Sequence, residues 1–103
     1  MTYCMVLVTC EAESQAKNLA KNLVRNKLAA CAQIHPVTSV YTWEDKVHTD
    51  PEFRLVIKTK SDLYKELENY IVRHHDYEVP QILKVPIENG LEPYLNWIDQ
   101  NTK

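Results

Sequence analysis

Two adjacent histidines, His74 and His75, are followed at once by Tyr77 and Glu78. Neutral imidazole is a good donor to copper and zinc, so this pair is the first place to look for metal chemistry. Successive helical residues diverge by about 100°, so both rings reach one ion only where the helix frays. The structural alternative is a cationic helix end, because histidines suit the negative pole of the helix dipole. A full transition-metal site would need further donors from elsewhere, such as a cysteine or a carboxylate across an interface. Glu78 and Tyr77 could also line a polar cleft that takes a cation or a small ligand. Glu44 and Lys46 would join them if the segment carrying them reached a neighbouring copy. The same groups could instead form an ion-pair network that locks subunits together. Lys58 stands among apolar residues and either pairs with Glu78 or Glu44 or extends its head to solvent. Trp43 and Trp97 are the large aromatic anchors expected in a core or an interface.

Other chemistries are excluded by what the chain lacks. Gly90 is the sole glycine, so no glycine-rich phosphate loop or dinucleotide fingerprint can form. No C-x-x-C, H-E-x-x-H or G-x-S-x-G motif occurs. No nucleophile sits beside a recognisable base, so the residues argue against an enzyme. The three cysteines, Cys4, Cys10 and Cys31, are an odd number without regular spacing. Cys4 and Cys10 would lie about 20 Å apart on an extended strand and cannot bridge. They read as small buried hydrophobes. His35 and His48 stand alone and carry no functional expectation.

The elements that must position these groups follow from periodicity. At 103 residues the chain predicts a single domain over 1–103, and 45% hydrophobic residues exclude disorder. A formal charge of −2 argues against a nucleic-acid partner. No apolar run approaches the ~20 residues of a membrane span. The start lacks the basic segment and cleavage site of a signal peptide, which points to a cytoplasmic protein.

Tyr3–Thr9 reads as a strand apolar on both faces, with Met5 and Leu7 on one and Val6 and Val8 on the other. Ser14–Asn26 reads as a helix with Ala16, Leu19, Ala20, Leu23 and Val24 in one stripe, capped by Ser14 and ended by a left-handed Asn26. Ala29–Trp43 and Lys46–Thr59 form a hairpin turning at Glu44-Asp45-Lys46, with a bend expected at Pro36 and an interruption at Pro51. Asp62–His74 is a second helix with Leu63, Leu67, Tyr70 and Ile71 inward, capped by Ser61 or Asp62. Gln81–Ile87 is a last strand with Leu83, Val85 and Ile87 inward, and Glu92–Asn101 a closing helix with Pro93 in its first turn. The predicted class is α+β: a ferredoxin-like β-α-β-β-α-β order with a long hairpin between the second and third strands and a short C-terminal helix.

At roughly 3.3 Å per residue the first hairpin arm would run about 50 Å if straight. A domain of this size has a radius of gyration near ~13 Å, so the hairpin overhangs its own body unless it bends. An overhanging strand exposes unpaired backbone groups, and a second copy of the chain is the expected cover.

Five segments in order, KLAACAQI (27–34), SVYTWEDKV (39–47), FRLVIKT (53–59), HDYEVPQI (75–82) and GLEPYLNWI (90–98), together resemble the CutA divalent-cation tolerance proteins. The resemblance implies a homotrimer of ferredoxin-like subunits, similar in architecture to the PII signalling proteins. It implies a role in tolerance of copper or another divalent cation, with metal or a small ligand captured at intersubunit clefts and no cofactor required. The adjacent histidine pair recurs at His74–His75 in some members. The ligand cleft and interface would draw on Trp43, Glu44, Lys46, Lys58, Tyr77 and Glu78. The chain departs from the usual pattern at Gln33, Thr42, Asp45, Asp76 and Gln81. The strand position of a metal-linked cysteine in some members is Val8 here, with Cys10 two residues on. The competing expectation is a trimeric scaffold or sensor that binds a protein partner and has no metal role.

Overall fold

The structure is a computed structural model and describes residues Met1–Lys103. Four strands, β1 (Tyr3–Cys10), β2 (Cys31–Trp43), β3 (Lys46–Lys60) and β4 (Ile82–Ile87), form one antiparallel sheet in the order β2-β3-β1-β4. Three helices, α1 (Glu13–Arg25), α2 (Tyr64–His74) and α3 (Glu92–Gln100), complete the chain. The element order and class match the α+β, ferredoxin-like expectation.

One sheet face is sealed. Cys4, Val6, Val8 and Cys10 of β1 and Leu55 and Ile57 of β3 pack under Ala16, Leu19, Ala20 and Leu23 of α1 and Leu67 and Ile71 of α2. The opposite face carries Tyr3, Met5 and Leu7 of β1 beside Ile87, Val85 and Leu83 of β4, as the register requires. Within the chain this strip is only partly covered: Tyr3, Met5, Leu7, Val85 and Ile87 are half-buried, α3 reaches the same face through Lys58–Tyr94 and Lys60–Asp99, and Leu83 is 54% exposed rather than inward as periodicity suggests.

The hairpin is the dominant shape. β1 pairs with β3 only from Phe53 to Lys60, so the ribbon beyond Phe53 has no third strand. The molecule measures 45 × 25 × 21 Å with a radius of gyration of 14.2 Å. Neither proline breaks the ladder: Pro36 lies opposite Phe53, and Pro51 opposite Thr38. The two-residue turn makes Trp43 and Lys46 the closing hydrogen-bonded pair, and hydrogen-bonded pairs then alternate outward. Both prolines fall at non-hydrogen-bonded pairs, so their missing N–H groups point away from the partner strand and cost no bond. The turn itself is Glu44-Asp45, with φ of 50° and 62°. Two positive φ values define the hairpin turn that matches strand twist, built here without glycine.

Several local expectations shift. α1 starts at Glu13 and its N-cap is Ala12, with no side-chain cap, so Ser14 lies inside the helix. Val24 is 40% exposed and drops out of the buried stripe. The left-handed residue ending α1 is Lys27 (φ 57°). Asn26 instead bonds its side chain back to the Asn22 carbonyl at 2.7 Å. Ser61–Leu63 forms a 3-10 turn, so α2 begins at Tyr64 without a Ser61 or Asp62 side-chain cap. A buried Thr59 hydroxyl donates to the Leu28 carbonyl at 2.7 Å, pinning the loop after α1 to β3.

Candidate functional site

The helix ends at His74, and His75 has an extended backbone (φ −88°, ψ 144°). The two imidazoles therefore part company. His74 donates Nδ1–H to the Tyr70 carbonyl at 2.8 Å and stacks on the Tyr70 ring at 4.1 Å. That bond fixes the proton on Nδ1 and leaves the Nε2 lone pair free.

His75 turns the other way. Its Nδ1 accepts the Tyr77 N–H at 3.0 Å, and its Nε2–H donates to the Thr9 carbonyl at 2.8 Å. Both ring nitrogens are occupied, so His75 has no lone pair to offer a metal while this latch is closed. The Cys10 sulfur lies 3.8 Å from the same Nε2. Cys10 is buried, and burial pushes its thiol up to about 11, helped by the carboxylates of Asp76 and Glu52. At neutral pH it stays a protonated thiol, which is a poor metal ligand and a poor nucleophile. No group of three or more histidine, cysteine or acidic side chains converges to hold a metal within the chain. The residues of one chain do not by themselves bring three such donors together. His74 Nε2 is the donor they leave ready.

Tyr77 reaches Glu52 of the overhanging ribbon, with its hydroxyl donating to the carboxylate at 2.8 Å. Burial first, and Glu52 second, raise the Tyr77 phenol well above its usual range. Glu52 was not among the expected site residues. A separation of 25 residues gives no periodic signal that the two will meet. Glu78 is exposed in the same loop.

Lys58 meets neither Glu44 nor Glu78 in its own chain. It donates to the Gln33 side-chain oxygen at 2.9 Å and lies 5.6 Å from the Tyr94 ring centre. Trp43, Glu44 and Lys46 stand at the ribbon tip, all exposed, with Trp43 at 59%. Lys46 begins β3 and Lys58 lies two residues from its end, about 40 Å away along the strand. The six cleft candidates thus fall into three places: the tip, the Tyr77–Glu78 loop and the Lys58 end. Cys4 and Cys10 are buried as expected, whereas Cys31 is partly exposed, with its sulfur 3.9 Å from the Tyr94 hydroxyl.

The family profile described as CutA1 divalent ion tolerance protein matches residues 4–101. The chain belongs to the CutA1 family. It is 36% identical over 98 residues to the divalent-cation tolerance protein CutA of Archaeoglobus fulgidus, covering 95% of this chain and 96% of that protein. It is 44% identical over 92 residues to the CutA homolog of Xenopus laevis, covering 88% of this chain but 61% of that relative. The chloroplastic CutA of Arabidopsis thaliana is 40% identical over 100 residues, and the chain spans 55% of its length. Among solved structures, CutA1 from Oryza sativa superposes with a TM-score of 0.97 at 38% identity, covering 100% of this chain and 95% of that one. The periplasmic divalent cation tolerance protein CutA from Archaeoglobus fulgidus gives 0.96 at 35% identity, covering 98% and 99%. The CutA1 likeness accounts for the long ribbon and the C-terminal helix together. No helix of this chain is long and apolar enough to cross a membrane.

Proposed function

We propose that residues 1–103 form one CutA1-type domain that assembles as a PII-like homotrimer and serves tolerance of copper or another divalent cation. The observation that carries this reading is the ribbon beyond Phe53, which has strand pairing on one side only. It is supported by the apolar strip of Tyr3, Met5, Leu7, Leu83, Val85 and Ile87 on the sheet, which one chain covers only in part and which leaves Leu83 exposed. Three copies would cover both. In the seams, Trp43, Glu44 and Lys46 of one copy would meet Tyr77 and Glu78 of another and enclose a small ligand or cation, with Lys58, about 20 Å along β3 from Glu52, lining a separate part of the interface.

For copper, His74 supplies Nε2 directly. His75 joins only by giving up its bond to Thr9, and the remaining donors come from the seam or from solvent. The metal would be captured and held, with no covalent step and no further cofactor. Cytoplasmic residence is part of this proposal; relatives differ in compartment, the Archaeoglobus one being described as periplasmic and the plant one as chloroplastic.

The test is a copper titration of the assembled protein against a His74→Ala/His75→Ala double variant. Loss of at least one site per chain in the variant supports the metal reading. Unchanged stoichiometry and affinity remove it. Retention of a stable protein partner from metal-free extract, with no copper bound, would favour the scaffold role instead.

A further inference from the structure

A groove of about 220 Å³ runs between α1 and α2, lined by Gln15, Asn18, Leu19, Asn22, Tyr70 and His74. Three side-chain amides on one helix face an imidazole and a phenol on the other. No charged side chain lines it. The Gln15 Oε1 atom is buried and has no hydrogen-bond partner. Buried polar atoms are almost always paired, so an orphan beside a groove points to a partner from outside the chain, a water or a ligand. The amides lie at positions i, i+3 and i+7 of α1, which is one helical stripe.

One acceptor is fixed: His74 Nε2, because Nδ1–H is held by the Tyr70 carbonyl at 2.8 Å. Gln15 adds an amide whose oxygen no bond in the chain holds. Asn18 and Asn22 add both donors and acceptors on the rim. Leu19 and the stacked Tyr70–His74 rings give apolar, flat walls. The volume is below the ~300 Å³ at which drug-sized sites begin, so the occupant is a single ring system.

We propose that this groove binds a small, uncharged, planar heterocycle with N–H donors along one edge, of the nucleobase class. Carboxamides bind nucleobase edges in pairs of hydrogen bonds, and aromatic rings bind their faces. A charged ligand would bring an unpaired charge against neutral walls. A polyol would satisfy the acceptors but gain little from the flat aromatic wall. The site differs from the proposed seam clefts and shares only His74 with the metal reading.

The test is a two-dimensional 1H–15N NMR titration of the labelled, full chain with adenine into the millimolar range, with glucose as the polyol arm. A chelator is present throughout, so the result is independent of copper. Adenine should shift the side-chain amide signals of Gln15, Asn18 and Asn22 and the His74 ring, and glucose should not. Gln15→Leu should weaken adenine binding by about tenfold or more. It should also raise the melting midpoint of the free protein, because it removes the orphan acceptor. Asn18→Ala, at an exposed position, gives the same binding readout should Gln15→Leu fail to fold. The proposal is overturned if adenine leaves these signals unmoved, if a folded variant binds adenine as tightly as the parent, or if glucose shifts them equally.

Discussion

His75 clamps the end of the first strand, with its Nε2–H 2.8 Å from the Thr9 carbonyl oxygen, 66 residues away in sequence. The same ring takes the Tyr77 N–H on its other nitrogen, and Tyr77 in turn holds Glu52. One imidazole thus connects the end of β1, the loop after α2 and the base of the ribbon. Replacing it by alanine strands a buried carbonyl, since Thr9 is only 6% exposed. His75→Ala should cost about 1–3 kcal/mol in urea unfolding, whereas His74→Ala should leave stability nearly intact. In copper titration the order should reverse, with His74→Ala the more damaging single change. A His75→Ala chain as stable as its parent would show that the latch is not closed in solution.

Thr59 is fully buried and its hydroxyl donates to the Leu28 carbonyl at 2.7 Å. Thr59→Val keeps the shape and removes the donor, which leaves the carbonyl buried and alone. The expected loss is about 1–3 kcal/mol by chemical denaturation. A midpoint unchanged within error would mean that water reaches Leu28.

The turn Glu44-Asp45 holds two non-glycine residues at positive φ. Left-handed backbone strains a side chain that glycine does not have. Replacing the pair with Asn-Gly should stabilise the ribbon by about 0.5–1 kcal/mol, read as a higher melting temperature. A lower melting temperature would show that the Glu44 or Asp45 side chain makes a contact outside this chain.

Alkali should weaken the fold through Cys10. Its thiol rises from 9.0 to about 11 on folding, mainly by burial. Between those values the unfolded chain releases a proton that the folded chain keeps, so stability falls as pH climbs from about 9 to 11. Below pH 9 the contribution is fully present. Urea midpoints measured from pH 8 to pH 11 should decline, and Cys10→Ala should flatten that decline. Tyr64, pushed up to about 12 by burial and Glu68, extends the same trend to higher pH. At pH 8 a thiol-alkylating reagent should mark Cys31 well before Cys10, since Cys10 is buried and Cys31 is not. Equal labelling of the two in folded protein would contradict the burial of Cys10.

Much of the fold was legible because it rests on local signals. The alternation in Phe53, Leu55 and Ile57 placed β3, and the stripe of Ala16, Leu19, Ala20 and Leu23 placed α1. Pro51 misled because a proline blocks a ladder only at a hydrogen-bonded position, and that parity is set by the preceding Glu44-Asp45 turn, not by Pro51 itself. Leu83 read as inward because period two reports an apolar face, not what covers it. Ser14 and Ser61 had the chemistry of caps, but the helices begin elsewhere and use neither. The site was less legible still. Nothing in the order His74-His75 reveals that one ring points to Tyr70 and the other to Thr9. Glu52 and Gln15 acquire their significance only from distant partners, or from the lack of one.

The native mass of the unliganded protein, followed over about a hundredfold dilution, bears most directly on whether copies of this chain close over the ribbon and the sheet face around Leu83. Closure requires a species of three times the 12.0 kDa chain mass that persists on dilution and breaks down when Leu83 is changed to Asp. A stable, folded 12.0 kDa species at every concentration would show that one copy needs no cover.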